Sequence, residues 1–107
     1  MTAERQRLPN RRASEIFSFE CGSHRFVATI SYFPGTNQLA EIFLGNGRAG
    51  SDVDSAAKDS AIIASIALQH SVPLDVIRHA LLRDSHGVAS SPLGTALDLI
   101  AAEEGKS

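Results

Sequence analysis

Between Ser14 and Leu44, apolar and polar residues alternate in three successive runs, and this period of two constrains the fold more than any other feature of the chain. Alternation of this kind places apolar side chains on one face of a β-strand. Two turn signals separate the runs: Gly22-Ser23, in which glycine suits a type II′ turn, and the Pro-Gly-Thr-Asn sequence at residues 34–37. The pattern predicts a three-stranded antiparallel meander, with strands at residues 14–21, 24–33 and 38–44.

After the third run, apolar residues recur every three or four positions, which is typical of helices. Ser51 is the predicted N-cap of the first helix, with Asp54 at the N3 position of a capping box, and the helix runs to about His70. Its apolar stripe is so broad that we expect a central, buried helix.

Proline marks the start of two further helices, one at about Pro73–Arg83 and one after Ser91-Pro92. Apolar residues at helical spacing are predicted to be buried: Val76, Ile77, Ala80 and Leu81 in the second helix, and Leu93, Ala96, Leu97 and Ile100 in the third. Strands first and helices afterwards (βββααα) predict an α+β fold, with three helices packed on one face of the sheet.

The 107 residues suffice for one domain with a modest core. We expect a basic flexible arm over residues 1–13, an α+β domain over 14–102 and a polar tail over 103–107. The arm holds four arginines and one glutamate, a net charge of +3; the whole chain carries −2, so the remainder carries −5. Two interpretations stay open, a solvated tail or an arm that contacts nucleic acid or phosphate.

Several classes of protein are excluded by what the sequence lacks. No apolar run approaches the roughly 20 residues of a membrane span, and we expect no secretory signal and a cytoplasmic location. The single cysteine, Cys21, excludes an internal disulfide and is expected to be a small core residue. No spacing of histidines predicts a metal site, no nucleophile–base pair predicts a catalytic centre, and Asp98 is expected to be isolated.

A glycine-rich loop at residues 45–50 leads into the first predicted helix. Backbone N–H groups and the helix dipole favour an anion there, and Arg48 would add positive charge. Asp52 and Asp54 would repel a phosphate, so a plain strand-to-helix connection is the other interpretation. The candidate ligand-binding residues belong to the arm and to this loop: Arg11, Arg12, Arg48, Gly50 and Ser51.

Four dispersed segments together resemble one protein family. They are Leu8-Pro9-Asn10-Arg11-Arg12, Glu41-Ile42-Phe43, Gly50-Ser51-Asp52 with residues 61–74 (AIIASIALQHSVPL), and Gly87 with residues 93–100 (LGTALDLI). These segments are similar to motifs of TSCPD domains, and the resemblance covers about residues 8–102. At position 71 the chain has serine where the family usually has glycine.

The resemblance implies a link to ribonucleotide reduction, because TSCPD domains occur toward the C-terminus of adenosylcobalamin-dependent ribonucleoside-diphosphate reductases and also as small separate proteins. The chain lacks the barrel, the radical-carrying cysteine and the paired cysteines of the full enzyme, and the motif that names the domain. We therefore expect a non-catalytic module that binds no cofactor itself, adenosylcobalamin being a family association only. Its expected partner is a reductase catalytic chain or a nucleotide-like or phosphate ligand.

Two alternatives come from the residues themselves. The basic arm is compatible with a nucleic-acid-binding protein. The broad Ala/Ser/Ile helix around Ser60–Leu68 is compatible with a structural homodimer, because a small domain gains core by pairing.

Overall fold

A computed structural model describes residues 4–9, 13–48 and 50–104. Three strands are followed by three helices: β1 (Ser14–Cys21), β2 (His24–Tyr32), β3 (Leu39–Gly45), α1 (Asp52–Gln69), α2 (Leu74–Ala80) and α3 (Pro92–Glu104). The strands form one antiparallel sheet in the order β1-β2-β3. The predicted α+β class and the βββααα order are confirmed, while the division into arm, domain and tail stays a prediction.

The hairpin between β1 and β2 has the predicted two-residue turn. Gly22 has a φ of 62° and Ser23 does not have a positive φ, which is the combination that a type II′ turn requires. The pairing then runs without a shift from Cys21 opposite His24 to Ser14 opposite Ser31. The local sequence therefore sets the register of the first two strands.

The core lies between the sheet and the helices α1 and α3. The Phe19 ring stacks on the Phe26 ring, with centroids 5.7 Å apart, at the β1–β2 end of this core. The four residues that the helical spacing of α3 predicts to be inside are all buried. The largest fully buried side chains are Phe26, Ile42 and Leu97, one each from β2, β3 and α3.

The helix α1 lies along the outer edge of β3, where its side chains take the place of a fourth strand. The Ser65 hydroxyl accepts a hydrogen bond from the Ile42 N–H (2.9 Å) and donates one to the Ile42 carbonyl (2.9 Å). One turn further on, Gln69 Nε2 donates to the Ala40 carbonyl (3.1 Å). These bonds satisfy buried backbone groups that the edge of a sheet leaves unpaired.

The prediction of a central, buried helix is wrong for one side of α1. Ile63 is 70% exposed, and Ile62 and Ile66 are exposed as well, whereas the polar Ser65 and Gln69 are buried. The strand edge takes the polar side chains of Ser65 and Gln69 and the core takes the small apolar ones, so the three isoleucines remain in solvent.

The helix α2 is shorter and less buried than predicted. It ends at Ala80 rather than near Arg83, and none of its seven residues is buried. The chain becomes extended at Leu81, and Arg83 then forms a β-bridge with Ala89. Val76, predicted to be inside, is 56% exposed.

The C-terminus of α1 ends in a Schellman motif. The Val72 N–H donates to the Ala67 carbonyl and the Ser71 N–H donates to the Leu68 carbonyl, both at 3.0 Å. The motif requires a left-handed residue at its turn, and Ser71 adopts it with a φ of 69°. Glycine has no Cβ to strain in this conformation, which gives a physical reason for the glycine found here in the family that the sequence resembles.

We expect Ser65→Ala to lower the free energy of unfolding by about 1 to 3 kcal/mol, because it leaves the buried N–H and C=O of Ile42 without a partner. Ser60→Ala in the same helix is the matched control, since the Ser60 hydroxyl only donates to the Ala57 carbonyl of its own helix. Urea unfolding of both variants is the measurement, and equal stability of the two would contradict the role of Ser65.

We expect Ser71→Gly to raise the free energy of unfolding by about 0.5 to 1 kcal/mol, because it relieves the left-handed strain at this position. Ser90→Gly is the control, since Ser90 has no positive φ and glycine there only adds freedom to the unfolded chain. Thermal and urea unfolding would refute the prediction if both glycine variants lost stability.

Candidate functional site

The glycine-rich loop before α1 directs its polar groups inward, toward its own backbone. The Ser51 hydroxyl accepts a hydrogen bond from the Asp54 N–H (3.1 Å), as predicted for an N-cap. The Asp54 carboxylate accepts from the Asn46 N–H (3.0 Å), and the Asn46 side-chain oxygen accepts from the Arg48 N–H (2.9 Å). The second half of the capping box therefore reaches back to the end of β3 rather than to Ser51.

Asp54 is the buried centre of this loop. Its side chain is only 3% exposed, and Lys58 Nζ lies 2.8 Å from its second carboxylate oxygen. The hydrogen bond from Lys58 and that from the Asn46 N–H lower the pKa of Asp54. The buried carboxylate places negative charge at the N-terminus of α1, the position that an incoming phosphate would use.

The residues predicted to bind a ligand are only partly described. Arg48 and Gly50 are exposed, and Gly50 has a φ of 84°, which glycine adopts without strain. The Ser51 hydroxyl is engaged as the cap of α1. Arg11 and Arg12 lie outside the described residues. Binding of an anion by this set stays a prediction.

Residues of the predicted basic arm contact the C-terminus of α1. Arg5 Nε donates to Gln69 Oε1 (2.7 Å), and the Gln6 N–H donates to the Gln69 carbonyl (2.7 Å). Gln6 Nε2 also donates to the Ser71 hydroxyl (3.2 Å). Gln69 thus links the N-terminal segment to β3, since its amide nitrogen bonds Ala40. Gln6 and Ser71 border a cleft of about 430 Å³.

Asp98 is the centre of an ion-pair cluster, so the expectation that it is isolated is wrong. Arg78 Nε lies 2.9 Å from Asp98 Oδ1, and Arg83 Nη1 lies 2.7 Å from Asp98 Oδ2. Arg78 also pairs with Asp75 at 2.9 Å. Hydrogen bonds from Arg83 and Arg78 outweigh the effect of burial and lower the pKa of Asp98 to about 2. The cluster links α2 to α3, and it adds to the contact of Leu74 and Ile77, which are only partly buried against the core.

An apolar groove of about 490 Å³ separates α1 from α2. Its α1 wall includes Ile63, which is 70% exposed, and its α2 wall includes Val76, which is 56% exposed. Asp59 and Ser60 are the two polar residues of its lining. Exposed apolar surface that is contiguous in this way is typical of protein-binding sites.

Cys21 and Asp84, whose side chains are of types found in catalytic sites, contact neighbouring groups of the fold here. Cys21 is half-buried against the core, and its Sγ accepts a hydrogen bond from the Thr95 hydroxyl at 3.7 Å. Asp84 Oδ1 accepts from the N–H groups of His86 and Val88 and so shapes its own loop. Within the described ranges, no group of three or more His, Cys, Asp or Glu side chains is arranged to hold a metal ion.

The described part of the chain contains no helix that is long and apolar enough to cross a bilayer.

A vitamin B12-dependent ribonucleotide reductase of Agrobacterium fabrum is similar to this chain, with 31% identity over 75 residues. The match spans 70% of the chain but 6% of the reductase. No protein-family profile matches the chain, and no solved structure matches it. The chain is therefore related to a small segment of a ribonucleotide reductase, the protein class that the TSCPD resemblance implies, and membership of the TSCPD family stays a prediction.

Sequence patterns missed the features that organise these surfaces. Arg78 and Asp98 are 20 residues apart, so no local periodicity connects them. Asp75 and Arg78, at helical i,i+3 spacing, were the local signal that α2 carries a structured charge pair. That Ile63 borders a groove becomes visible only when the relative positions of α1 and α2 are known.

We expect Asp98→Asn to lower the free energy of unfolding by about 1 to 2 kcal/mol near neutral pH, because it leaves Arg78 and Arg83 without their carboxylate. The pKa of Asp98 is lower in the folded chain, about 2, than the 3.8 of a free carboxyl group. Its contribution is therefore complete above pH 4 and is lost as the pH falls toward 2.

Urea unfolding of both proteins at about pH 6 and about pH 3 measures this difference. We expect the gap between the original chain and Asp98→Asn to narrow at the lower pH. Asp75→Asn, which removes only the exposed partner of Arg78, is the control and should change stability by less than about 0.5 kcal/mol. A gap that stays constant with pH would contradict the role of the Asp98 carboxylate.

Proposed function

We propose that this protein is a non-catalytic module of ribonucleotide reduction that binds a reductase catalytic chain through the groove between α1 and α2. The observation that carries the proposal is the 31% identity to a segment of a vitamin B12-dependent ribonucleotide reductase. A segment that makes up so little of a long enzyme is a part that works next to the rest of that enzyme. The partner that we propose for this chain is therefore the catalytic part of such an enzyme.

The groove supports this partner by its chemistry. Ile63 and Val76 present apolar surface on opposite walls, and the lining between them is formed by small and aliphatic side chains. An interface of this kind takes its free energy from apolar burial, with a few anchoring side chains dominating. Asp59, which lines the groove on α1, would contribute to specificity more than to affinity.

The chemistry of the chain supports a non-catalytic role. The resemblance to TSCPD domains implies that the full enzyme takes its electrons from paired cysteines, and the one cysteine of this chain cannot form such a pair. That cysteine, Cys21, is half-buried against the core beside Thr95. In this proposal, the catalytic thiols and the cobalamin belong to the partner.

Binding of the vitamin B12-dependent reductase from the same cell, measured by calorimetry or sedimentation, tests the proposal. We expect Val76→Asp to weaken binding at least about tenfold, because it places a charge in the apolar groove. Val88→Asp is the matched control: Val88 is 59% exposed, close to the 56% of Val76, but it lies outside the groove. We expect the control to bind like the original chain.

Two results would overturn the proposal. Absence of binding between the original chain and the reductase would refute the partner. Equal loss of binding in Val76→Asp and Val88→Asp, with both variants folded by circular dichroism, would refute the groove as the contact surface.

A further inference from the structure

We propose that the outer edge of β1 pairs with β1 of a second copy of the chain, so that two three-stranded sheets join into one continuous antiparallel sheet. This dimer uses a different surface from the α1–α2 groove and does not depend on binding of a reductase. It also differs from a dimer formed through the exposed isoleucines of α1.

The two edges of the sheet differ in whether another element bonds their backbone. The edge at β3 is closed by Ser65 and Gln69 of α1. The backbone of β1 bonds β2 within the sheet. No other backbone hydrogen bond among residues 4–9, 13–48 and 50–104 involves a residue of β1. β1 also contains no proline, lysine or bulge, three of the devices that stop an edge strand from pairing, although it carries Glu15 and Glu20.

The bonds of β3 establish which residues of β1 face outward. The Ile42 N–H and C=O point at Ser65, away from β2, so its partner Ile30 directs these groups toward β1. Glu15, opposite Ile30, therefore bonds β2, as do the other odd-numbered residues of β1. The residues that direct their N–H and C=O to the free edge are Ser14, Ile16, Ser18 and Glu20.

This outward set is complementary to itself. Around a two-fold axis normal to the sheet, residues that lie opposite each other share a face, so even-numbered residues meet even-numbered ones. A register centred on Phe17 places Ile16 opposite Ser18 of the second copy and Ser14 opposite Glu20, and each of these pairs exchanges two backbone bonds. Glu15 and Glu20 lie on different faces, so no two-fold register sets them opposite each other.

Apolar surface beside the edge would be buried by the same pairing. Phe17 is half-buried and Leu99 is exposed, and both line a groove of about 400 Å³ that opens next to β1 on the helix side of the sheet. In the dimer, Phe17 lies opposite Phe17 of the second copy, an aromatic cross-strand pair. Backbone pairing and apolar burial therefore act at one place, which is what a stable sheet extension requires.

Sedimentation equilibrium of the isolated chain, with Ser18→Pro and Ser18→Ala, tests the dimer. Proline removes the Ser18 N–H, which faces the free edge, so the β1–β2 pairing is kept and only the contact between copies is lost. Alanine keeps the N–H, and both variants lose the hydrogen bond from Arg25 to the Ser18 hydroxyl. We expect the original chain and Ser18→Ala to dimerise, and Ser18→Pro to dimerise at least about tenfold more weakly.

Hydrogen exchange measured by NMR gives a second readout that does not require the proline variant to fold. We expect the amides of Ile16, Ser18 and Glu20 to gain protection as the protein concentration rises, while those of Phe17 and Phe19 are protected throughout. A chain that is monomeric at every concentration tested overturns the proposal. So does a dimer in which Ser18→Pro pairs normally or the even-numbered amides gain no protection.

Discussion

The position of α1 against the sheet depends on the reciprocal hydrogen bonds between the Ser65 hydroxyl and the backbone of Ile42. They fix α1 against the edge of β3, and Gln69 extends the contact by one turn. Once α1 is fixed there, one of its sides faces the core, and the side that carries Ile63 forms a wall of the apolar groove. A buried hydroxyl that satisfies two backbone groups is costly to replace, because removing it leaves both of them unpaired in a dry environment.

The three helices are held by different forces. α3 is held by apolar burial of Leu93, Ala96, Leu97 and Ile100. α1 combines small apolar residues in the core with polar side chains on the strand edge. α2 packs only partly buried side chains, Leu74 and Ile77, against the core, and ion pairs of Arg78 and of the nearby Arg83 with Asp98 add to this contact. The surface that we propose for a partner therefore has one wall fixed by packing and another fixed by partial packing together with ion pairs.

Features set by neighbouring residues were predictable from the sequence. The alternation in β1 and β2, the Gly22 turn and the buried stripe of α3 each follow from a local pattern that the structure confirms. The ion pairs of Asp98 and the bonds of Ser65 were not predictable, because each joins residues that are 15 to 23 positions apart. For the same reason the sequence overestimated the burial of α1, since periodicity identifies apolar faces and not the element that covers them.

The candidate site was harder to predict from the sequence than the fold. The sequence pointed to arginines and glycines around Arg48, whereas the groove that supports a partner depends on how α1 and α2 lie together. The relation to a ribonucleotide reductase was predicted from matching motifs. The apolar side chains of Ile63 and Val76 indicate a binding surface only when their neighbours in space are known.

The pairing of a helix with a strand edge also fixes the number of residues between Ser65 and Gln69 of α1. Four helical residues advance about 6 Å, and two strand residues advance about 6.7 Å, so Ser65 and Gln69 match Ile42 and Ala40 in spacing. The helix and the strand therefore differ in advance by less than about 1 Å between these two contacts, and the flexible side chains of Ser65 and Gln69 compensate for that difference. Insertion of one residue between Ser65 and Gln69 would turn the following helix by about 100° and carry Gln69 away from the strand. The number of residues between these two contacts therefore cannot change by one without the loss of the Gln69 contact with the strand.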